Sequence, residues 1–492
     1  MASVRPPGSL EEDNDASPAA ESAAAIRDRG AAGAGLLTIR AAGAQAVAFI
    51  GTVVLAHQLT PTMLGMVAFG TTIVTIGNFF ADGGLGAALI RRGDDPTVDE
   101  LRALLALQVM LALVIALGAT VVGLQAGTTG AVTAIMAWSL PLLALRAPHA
   151  IALERSLEYR PIATTEFAES LVYYAWAIAT VAAGWGVWGV ASAAIARAVT
   201  GSVLMTAASP LKVITPRVGQ GTLRSMLAFG IGFQAVGLAG LVRAQGVNLV
   251  IAAVAGEQVL GYWSVAYRLM QVPFWVFHAL WRVSYPTMAR LRARGEDTRL
   301  TVERFARVTA LLSGAMLAPL AASAHLVVPA LFGASWAPSA APLAWASAGL
   351  VISGPISVAT AGYMYAEKGV RTPLVATVIN GAVWIALTAI LLPPLGIAGV
   401  GIAWMVASWT EAGVFSRALH RAGVAVARMI IVPVVAAVAS ALLAYAAQTP
   451  LAPSLVPGIA TAVVALAVYV ALSYVFNRPD LLATARRVRS LT

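Results

Sequence analysis

Long apolar stretches separated by short polar ones fill almost the whole chain. A transmembrane helix needs about 20 consecutive apolar residues, and about fourteen stretches come close to this length. The predicted helices are 34–57, 62–82, 101–123, 131–152, 162–183, 187–207, 226–254, 259–288, 305–331, 342–366, 373–392, 396–416, 429–447 and 457–476. Because the boundaries around 331–345 and 385–400 can be drawn differently, twelve to fourteen helices are expected. The pattern predicts an all-α polytopic membrane protein.

Lysine and arginine are concentrated in every second loop between the predicted helices. These loop residues are Arg91, Arg92, Arg155, Arg160, Lys212, Arg217, Arg224, Arg290, Arg292, Arg294, Arg299, Lys368, Arg371, Arg417, Arg421 and Arg428. Short loops rich in Lys and Arg stay in the cytoplasm. With an even number of helices and a basic C-terminal tail, we expect both termini on the cytoplasmic side of the inner membrane.

Composition supports a membrane location and argues against several other classes of protein. Hydrophobic residues make up 59% of the chain and charged residues 11%, whereas soluble proteins have about 25% charged residues. The net charge of +10 follows from the loop pattern and favours anionic membrane lipids, so no nucleic-acid partner is expected. The sequence has no cysteine, no Walker A motif and no H-x-x-x-H spacing, so neither a metal nor a cofactor is predicted.

Pattern and charge divide the chain into six predicted parts. These are a disordered cytoplasmic tail (1–32), an N-terminal six-helix bundle (33–210), a cytoplasmic linker (211–225), a C-terminal six-helix bundle (226–421), an extra helix pair (428–476) and a basic cytoplasmic tail (477–492). The two bundles contain matching segments in the same order, for example Leu64-Gly65 and Leu260-Gly261. Because six is even, both bundles keep one orientation, which makes the repeat parallel about an axis along the membrane normal.

Four degenerate motifs carry a resemblance to a known family. They are Leu64-Gly65, residues 80–91 (FADGGLGAALIR), residues 153–160 (LERSLEYR) and residues 186–190 (GVWGV). Over residues 33–476 the chain resembles the polysaccharide-exporting branch of the MOP (multidrug/oligosaccharidyl-lipid/polysaccharide) exporter superfamily, the Wzx-like flippases. The resemblance implies two bundles around a central cavity with cavity arginines. It also implies an undecaprenyl-diphosphate-linked oligosaccharide as substrate, with the extra helix pair lining a groove for its lipid tail.

Arginines inside the predicted helices are the first candidates for binding. A charged residue at the bilayer centre costs about 2.5–3.5 kcal/mol on insertion scales, so it must face water, protein or a ligand. Arg243 and Arg268 lie in the seventh and eighth predicted helices, and Arg40 lies in the first. The resemblance implies that these helices line the cavity. Guanidinium groups donate paired hydrogen bonds to phosphate oxygens, so these three arginines are predicted to bind the diphosphate. The alternative is that each pairs with an acid or caps a broken helix.

A fourth intramembrane arginine has an acidic candidate partner. Arg197 lies near the middle of the sixth predicted helix, and Glu169 lies in the fifth. Glu169 is about 10 Å from the end of its helix at 1.5 Å per residue, a depth that Arg197 can reach. We therefore predict a structural ion pair between Glu169 and Arg197.

Amide and aromatic residues suggest further positions of interest. Gln234, Gln245 and Asn248 share one face of the seventh helix and are candidates for binding sugar, although helix–helix hydrogen bonds would explain them equally well. Arg243 lies on roughly the opposite face, so either both faces are buried or Gly246 breaks the helix. Aromatic residues near predicted helix ends are typical of an interfacial belt. These include Trp185, Trp188, Trp263 and Trp336.

These observations predict a flippase that moves a polyprenyl-diphosphate-linked oligosaccharide across the cytoplasmic membrane by alternating access. Such a protein is not an enzyme, and its partners are the lipid-linked oligosaccharide, membrane lipids and, within the pathway, a polysaccharide polymerase and glycosyltransferases. A multidrug/cation antiporter of the same superfamily is one alternative, but it would need cavity acids. A membrane polysaccharide polymerase or ligase is another, but it would need a long external loop with Arg and His. A non-transporting scaffold is the third.

Overall fold

A computed structural model describes residues 43–91, 94–211, 213–217, 222–367, 371–448 and 451–489. The predicted tail 1–32 and Arg40 lie outside the described residues. The described residues are almost entirely helical and contain no strand. The all-α prediction is therefore confirmed for this part of the chain.

The first part of the described chain contains a run of helices joined by short turns. They are α1 (Gly43–Gln58), α2 (Pro61–Asp82), α3 (Leu85–Arg91), α4 (Val98–Gly123), α5 (Gly127–Ala137), α6 (Ser139–Leu145), α7 (Ala147–Arg155), α8 (Tyr159–Thr180), a π-helical turn (Val181–Trp185) and α9 (Val187–Ala208). The predicted helix 131–152 is thus divided among α5, α6 and α7. Pro141 and Pro148 lack the N–H that would continue a helix, and each lies in the first turn of a new one.

The second part consists of longer helices. They are α10 (Thr222–Ala293), α11 (Arg299–Phe332), a 3₁₀ segment (Ala334–Ser339), α12 (Ala340–Glu367), α13 (Arg371–Leu395), α14 (Ile397–Arg421), α15 (Val426–Gln448) and α16 (Leu455–Arg489). The predicted seventh and eighth helices form the two arms of α10, 222–255 and 257–293, which meet at Gly256 with φ 77°. Glycine adopts this left-handed conformation at no steric cost, so the chain turns there without a separate loop.

Eleven helices in the described part are long and apolar enough to cross a membrane. This number treats α10 as one helix although Gly256 divides it, and the described part of α1 is too short to be included. The chain is a multi-pass membrane protein, while the predicted number of about fourteen crossings stays a prediction.

The helices pack in two groups with α10 between them. In the first group α5 packs on α2 and α4, and α8 packs on α9. In the second group α12 packs on α11 and α14, and α13 packs on α14. The helix α10 contacts α2 of the first group and α12 and α13 of the second, while α15 and α16 lie against α11.

The two groups meet at a pair of glycines. A Cβ atom on Gly65 of α2 would collide with the carbonyl oxygen of Glu257, and a Cβ atom on Gly261 of α10 would collide with that of Pro61. Each glycine therefore contacts the backbone of the residue that lies one turn before the other glycine. A reciprocal contact of this kind is what two helices related by a two-fold axis produce. Gly65 and Gly261 are also the glycines of the matching sequence segments.

An ion-pair network holds α8, α9 and the α6–α7 junction together. Glu169 is buried, and its carboxylate accepts hydrogen bonds from Arg146 and, at 3.4 Å, from Nε of Arg197. Gly201 on α9 makes room for this carboxylate, because a Cβ atom there would collide with it. The structure thus places the predicted partners Glu169 and Arg197 together and adds Arg146, which the sequence had not paired with them.

We expect Glu169→Ala to destabilise the protein, because it leaves two arginines without their shared acid. Removing one partner of a buried ion pair costs about 3–5 kcal/mol. The Arg197 side chain is 53% exposed and can be solvated, so we expect about 3 kcal/mol, which is the lower end of that range. Thermal unfolding in detergent, followed by intrinsic fluorescence, measures the effect. Glu158→Ala, at an exposed position just before α8 and without a capping hydrogen bond, is the matched control. Equal unfolding midpoints for the two variants would contradict a stabilising role.

Candidate functional site

A cavity of about 820 Å³ lies between the two groups of helices. Side chains of α1, α2, α8 and α9 line one side, and side chains of α10, α12, α13 and α14 line the other. This volume is within the range of about 300–1,000 Å³ that is usual for small-molecule sites. A substrate site between two halves is also the arrangement of transporters built from repeats.

Arg243 and Arg268 both line this cavity, one from each arm of α10. The stem of Arg243 lies against Gly381 of α13, where a Cβ atom would be only 3.1 Å from the Cβ of the arginine. Within the described residues, the Arg243 guanidinium has neither a hydrogen bond nor an ion pair. The Nη2 atom of Arg268 donates a hydrogen bond to the hydroxyl of Tyr174 at 3.2 Å. Both arginines therefore keep most of their donors available to the cavity.

Tyr174 reaches Arg268 because the helices around it leave room. Gly51 on α1 has no side chain to meet the ring, and a Cβ atom there would collide with it. The Tyr174 hydroxyl also lies 3.4 Å from Oγ1 of Thr52, the next residue of α1. A tyrosine hydroxyl thus orients the arginine from across the cavity. This contact could not be predicted from the sequence, because α1, α8 and α10 are far apart along the chain.

The three predicted amides do not act together. Gln245 and Asn248 line the cavity, where Nδ2 of Asn248 donates to Oγ1 of Thr72 at 3.1 Å and to Oε1 of Gln245 at 3.3 Å. Gln234 is not among the cavity-lining residues, and its Nε2 donates to the carbonyl oxygen of Phe79 at 2.8 Å. Gln234 and Asn248 therefore join α10 to α2. The helix–helix alternative describes these two residues better than sugar binding does.

Both faces of the first arm of α10 are covered by other helices, and the arm is unbroken. The helix is regular through Gly246, and Gly256 is its non-helical residue. Asn248 contacts α2 on one side and Arg243 contacts α13 on the other. Of the two possibilities left by the sequence, the structure thus has both faces covered, and Gly246 does not break the helix.

The cavity lining carries more positive than negative charge. Among the described lining residues Glu411 of α14 is the acid, and Arg243 is a base whose charge acts on it. Arg268 is a second base in the lining, and it donates a hydrogen bond to the hydroxyl of Tyr174. With two arginines and one glutamate, the cavity favours an anionic ligand.

Aromatic residues form one wall of the cavity on the side of the second helix group. We call this the aromatic wall, and its members are Trp263, Tyr267, Phe274, Trp384 and Trp404. Their ring centroids lie 4.5–6.3 Å apart in a continuous cluster. The sequence had placed Trp263 in the interfacial belt, but it is buried in this wall.

The prediction of an interfacial belt is also wrong for Trp336. It is buried at the meeting point of the two helix groups, where its Nε1 donates to the carbonyl oxygen of Ala56 at 3.0 Å. Trp185 and Trp188 are exposed, as residues of a belt would be. Position near a predicted helix end does not distinguish these cases, because burial depends on which helix covers the residue.

Comparisons with known proteins agree with this architecture. A family model described as polysaccharide biosynthesis protein matches residues 54–341. A search of curated protein sequences found no match.

The solved structures that are similar to the chain include two membrane transporters. One is the lipid II flippase MurJ in an inward closed conformation, with a TM-score of 0.71, 13% sequence identity and coverage of 91% of this chain and 99% of that one. The other is a multidrug resistance MATE family transporter of the MOP superfamily in an inward-facing conformation, with a TM-score of 0.59, 15% identity and coverage of 78% and 95%. At these identities the likeness concerns the fold.

The family model covers more than half of the chain, and the chain shares its fold with these two membrane transporters. The chain therefore belongs to the polysaccharide biosynthesis protein family.

Proposed function

We propose that the protein flips a polyprenyl-diphosphate-linked oligosaccharide from the cytoplasmic to the outer leaflet of the inner membrane. The observation that carries this proposal is the pair of arginines, Arg243 and Arg268, in one cavity between the two helix groups. The lipid tail would remain in the bilayer while the head group enters the cavity. The extra helices α15 and α16 are proposed to line the path of the tail.

The charge of the cavity suits a diphosphate. Such a group carries about two negative charges, and guanidinium groups stay charged in any environment and donate parallel hydrogen bonds to phosphate oxygens. Arg243 has no hydrogen-bond or direct ion-pair partner within the described residues, and Arg268 has one neutral hydrogen-bond partner, Tyr174. Neither arginine therefore has to break an ion pair within the described residues in order to bind phosphate. Arg40 is proposed as a third contributor.

Alternating access supplies a path between the leaflets. The reciprocal contact of Gly65 and Gly261 joins the halves at the end where α2 and the second arm of α10 begin. The hydroxyl of Thr129 donates to Oε1 of Glu257 at 2.8 Å near the same end. Opening the cavity toward that side requires these contacts to separate. The loop charges support this end as the outer face, and in that orientation the proposed transporter is closed to the outside.

The remaining parts of the proposal follow from the sequence. Both termini lie in the cytoplasm, and the two six-helix bundles 33–210 and 226–421 rock about the cavity. The driving force is the membrane potential or a coupled ion, because the sequence has no nucleotide-binding motif. A polysaccharide polymerase and glycosyltransferases would act on the same lipid after and before the flipping step.

A multidrug or cation antiporter is the second candidate, and Glu411 in the cavity is the observation in its favour. A cation would bind the carboxylate, but it would also meet Arg243 and Arg268 in the same space. Like charges in a low-dielectric site repel strongly. The excess of basic groups therefore favours the anionic lipid head group.

We expect Arg243→Ala and Arg268→Ala each to reduce flipping, because each removes charge-assisted hydrogen bonds to the diphosphate. Such bonds contribute about 1.5–3 kcal/mol, which corresponds to about a tenfold or greater loss of affinity. Reconstituted vesicles with a fluorescent lipid-linked oligosaccharide and an external quencher measure leaflet exchange. Arg102→Ala is the control, because Arg102 pairs with Asp99 outside the cavity. Wild-type rates in the double variant would overturn the proposal.

We also expect a covalent bridge between Thr129→Cys and Glu257→Cys to stop flipping, because it prevents the cavity from opening at that end. The sequence contains no native cysteine, so oxidation in the double variant joins these two positions alone. Flipping should fall to background on oxidation and return on reduction. The two single-cysteine variants, treated in the same way, are the controls. Unchanged flipping in the bridged protein would rule out alternating access through this end.

A further inference from the structure

Free hydrogen-bonding groups accompany the aromatic wall. Asn380 and Ser408 are only 4% and 6% exposed and line the cavity together with Gln271. Within the described part of the chain, none of these three side chains has a hydrogen-bond partner. Buried polar side chains nearly always have one. Their free groups therefore point to a polar ligand, or water in its absence, at this wall.

The aromatic and polar residues follow one spacing on three helices. Tyr267 and Gln271 are one turn apart on α10, Asn380 and Trp384 on α13, and Trp404 and Ser408 on α14. Residues four apart share a helix face. Because α13 runs opposite to α14 and to the second arm of α10, each polar residue lies on the same side of its aromatic neighbour. A polar layer thus lies beside an aromatic one.

The rings themselves have unused donors. The indole nitrogens of Trp384 and Trp404 are buried and have no acceptor among the described residues. Tyr267, Phe274 and Trp404 are partly exposed to the cavity, while Trp263 and Trp384 are buried behind them. The wall therefore presents ring faces to the cavity, while these two indole N–H groups lie buried within the aromatic cluster.

We propose that the aromatic wall, with Gln271, Asn380 and Ser408, is a saccharide subsite. Sugar rings have one face of C–H groups, which packs on an aromatic ring, and hydroxyl groups at the rim, which need hydrogen-bonding partners. The proposal rests on the proposed flippase function and names the part of the cavity that takes the sugar. It differs from the site predicted from the sequence, because Gln234 and Asn248 are already hydrogen-bonded to α2.

The subsite lies beside the proposed diphosphate site. Tyr267 and Arg268 are consecutive on α10 and point to different sides, the tyrosine toward Trp404 and the arginine toward Tyr174. Arg243 lies against Gly381, which is one turn from Trp384 on α13. A ligand whose diphosphate meets the arginines therefore has its first sugars within reach of the wall.

The test compares two fluorescent polyprenyl diphosphates in reconstituted vesicles, one without sugar and one carrying an N-acetylglucosamine disaccharide. Wild type should bind the sugar-bearing probe about tenfold more tightly, as a stacked ring with accompanying hydrogen bonds would produce. Trp404→Leu and Asn380→Ala should each remove most of this advantage without changing affinity for the sugar-free probe. Trp404→Phe should retain it, because the ring remains.

Controls separate this proposal from misfolding and from the flippase proposal. Trp185→Leu is the matched control, because Trp185 is 54% exposed and outside the cavity. Monodisperse elution of each variant in detergent excludes misfolding, and Asn380→Ala tests the wall without loss of a ring. Arg243→Ala should weaken both probes alike.

Each result decides between the two proposals. Equal wild-type affinity for the two probes, or equal losses for both probes in the wall variants, would overturn the saccharide subsite and leave the flippase proposal standing. Binding of neither probe by wild type would overturn the flippase proposal and the subsite with it. Competition of the sugar-bearing probe by tetraphenylphosphonium at the wall would assign it to cations instead.

Discussion

A charged side chain cannot lie in the hydrocarbon of a membrane without a partner, and this constraint determines where the polar groups of the protein are. Two solutions are present. Glu169 satisfies Arg146 and Arg197 within the first helix group. Arg243 and Arg268 instead face a cavity. The first arrangement uses up the charges in packing, while the second keeps them available for a ligand.

The cavity depends on how closely the two helix groups meet. Gly65 and Gly261 let α2 and α10 approach until backbone touches backbone, which is the role that small residues commonly have between membrane helices. The break at Gly256 turns α10 back on itself, so that one helix contributes an arginine from each of its arms. Glycine thus determines both the contact between the groups and the position of the charges beside it.

The two walls of the cavity have different chemistry. The wall from the first helix group presents hydroxyl groups, such as those of Thr52, Thr72 and Tyr174, and these are engaged with α10 or with one another. The wall from the second group presents aromatic rings beside two amides and a hydroxyl that have no hydrogen-bond partner among the described residues. A head group with both phosphate and sugar has two kinds of surface to satisfy, and an asymmetric cavity can meet each with a different side.

Features that depend on local pattern could be predicted from the amino-acid sequence alone. Apolar length identified the membrane helices, spacing identified the matching glycines, and the depth of Arg197, Arg243 and Arg268 marked them as residues needing partners. These properties follow from the rise of a helix and from the low polarity of lipid, which act on each segment separately. The partner that each residue contacts became apparent only from the packing of the helices. In the folded protein Arg146 contacts Glu169, Tyr174 contacts Arg268, and the backbone of Phe79 accepts a hydrogen bond from Gln234. The aromatic wall likewise consists of residues from three helices. Membrane helices are similarly apolar on several faces, so the neighbour that covers each face is determined by packing between distant segments.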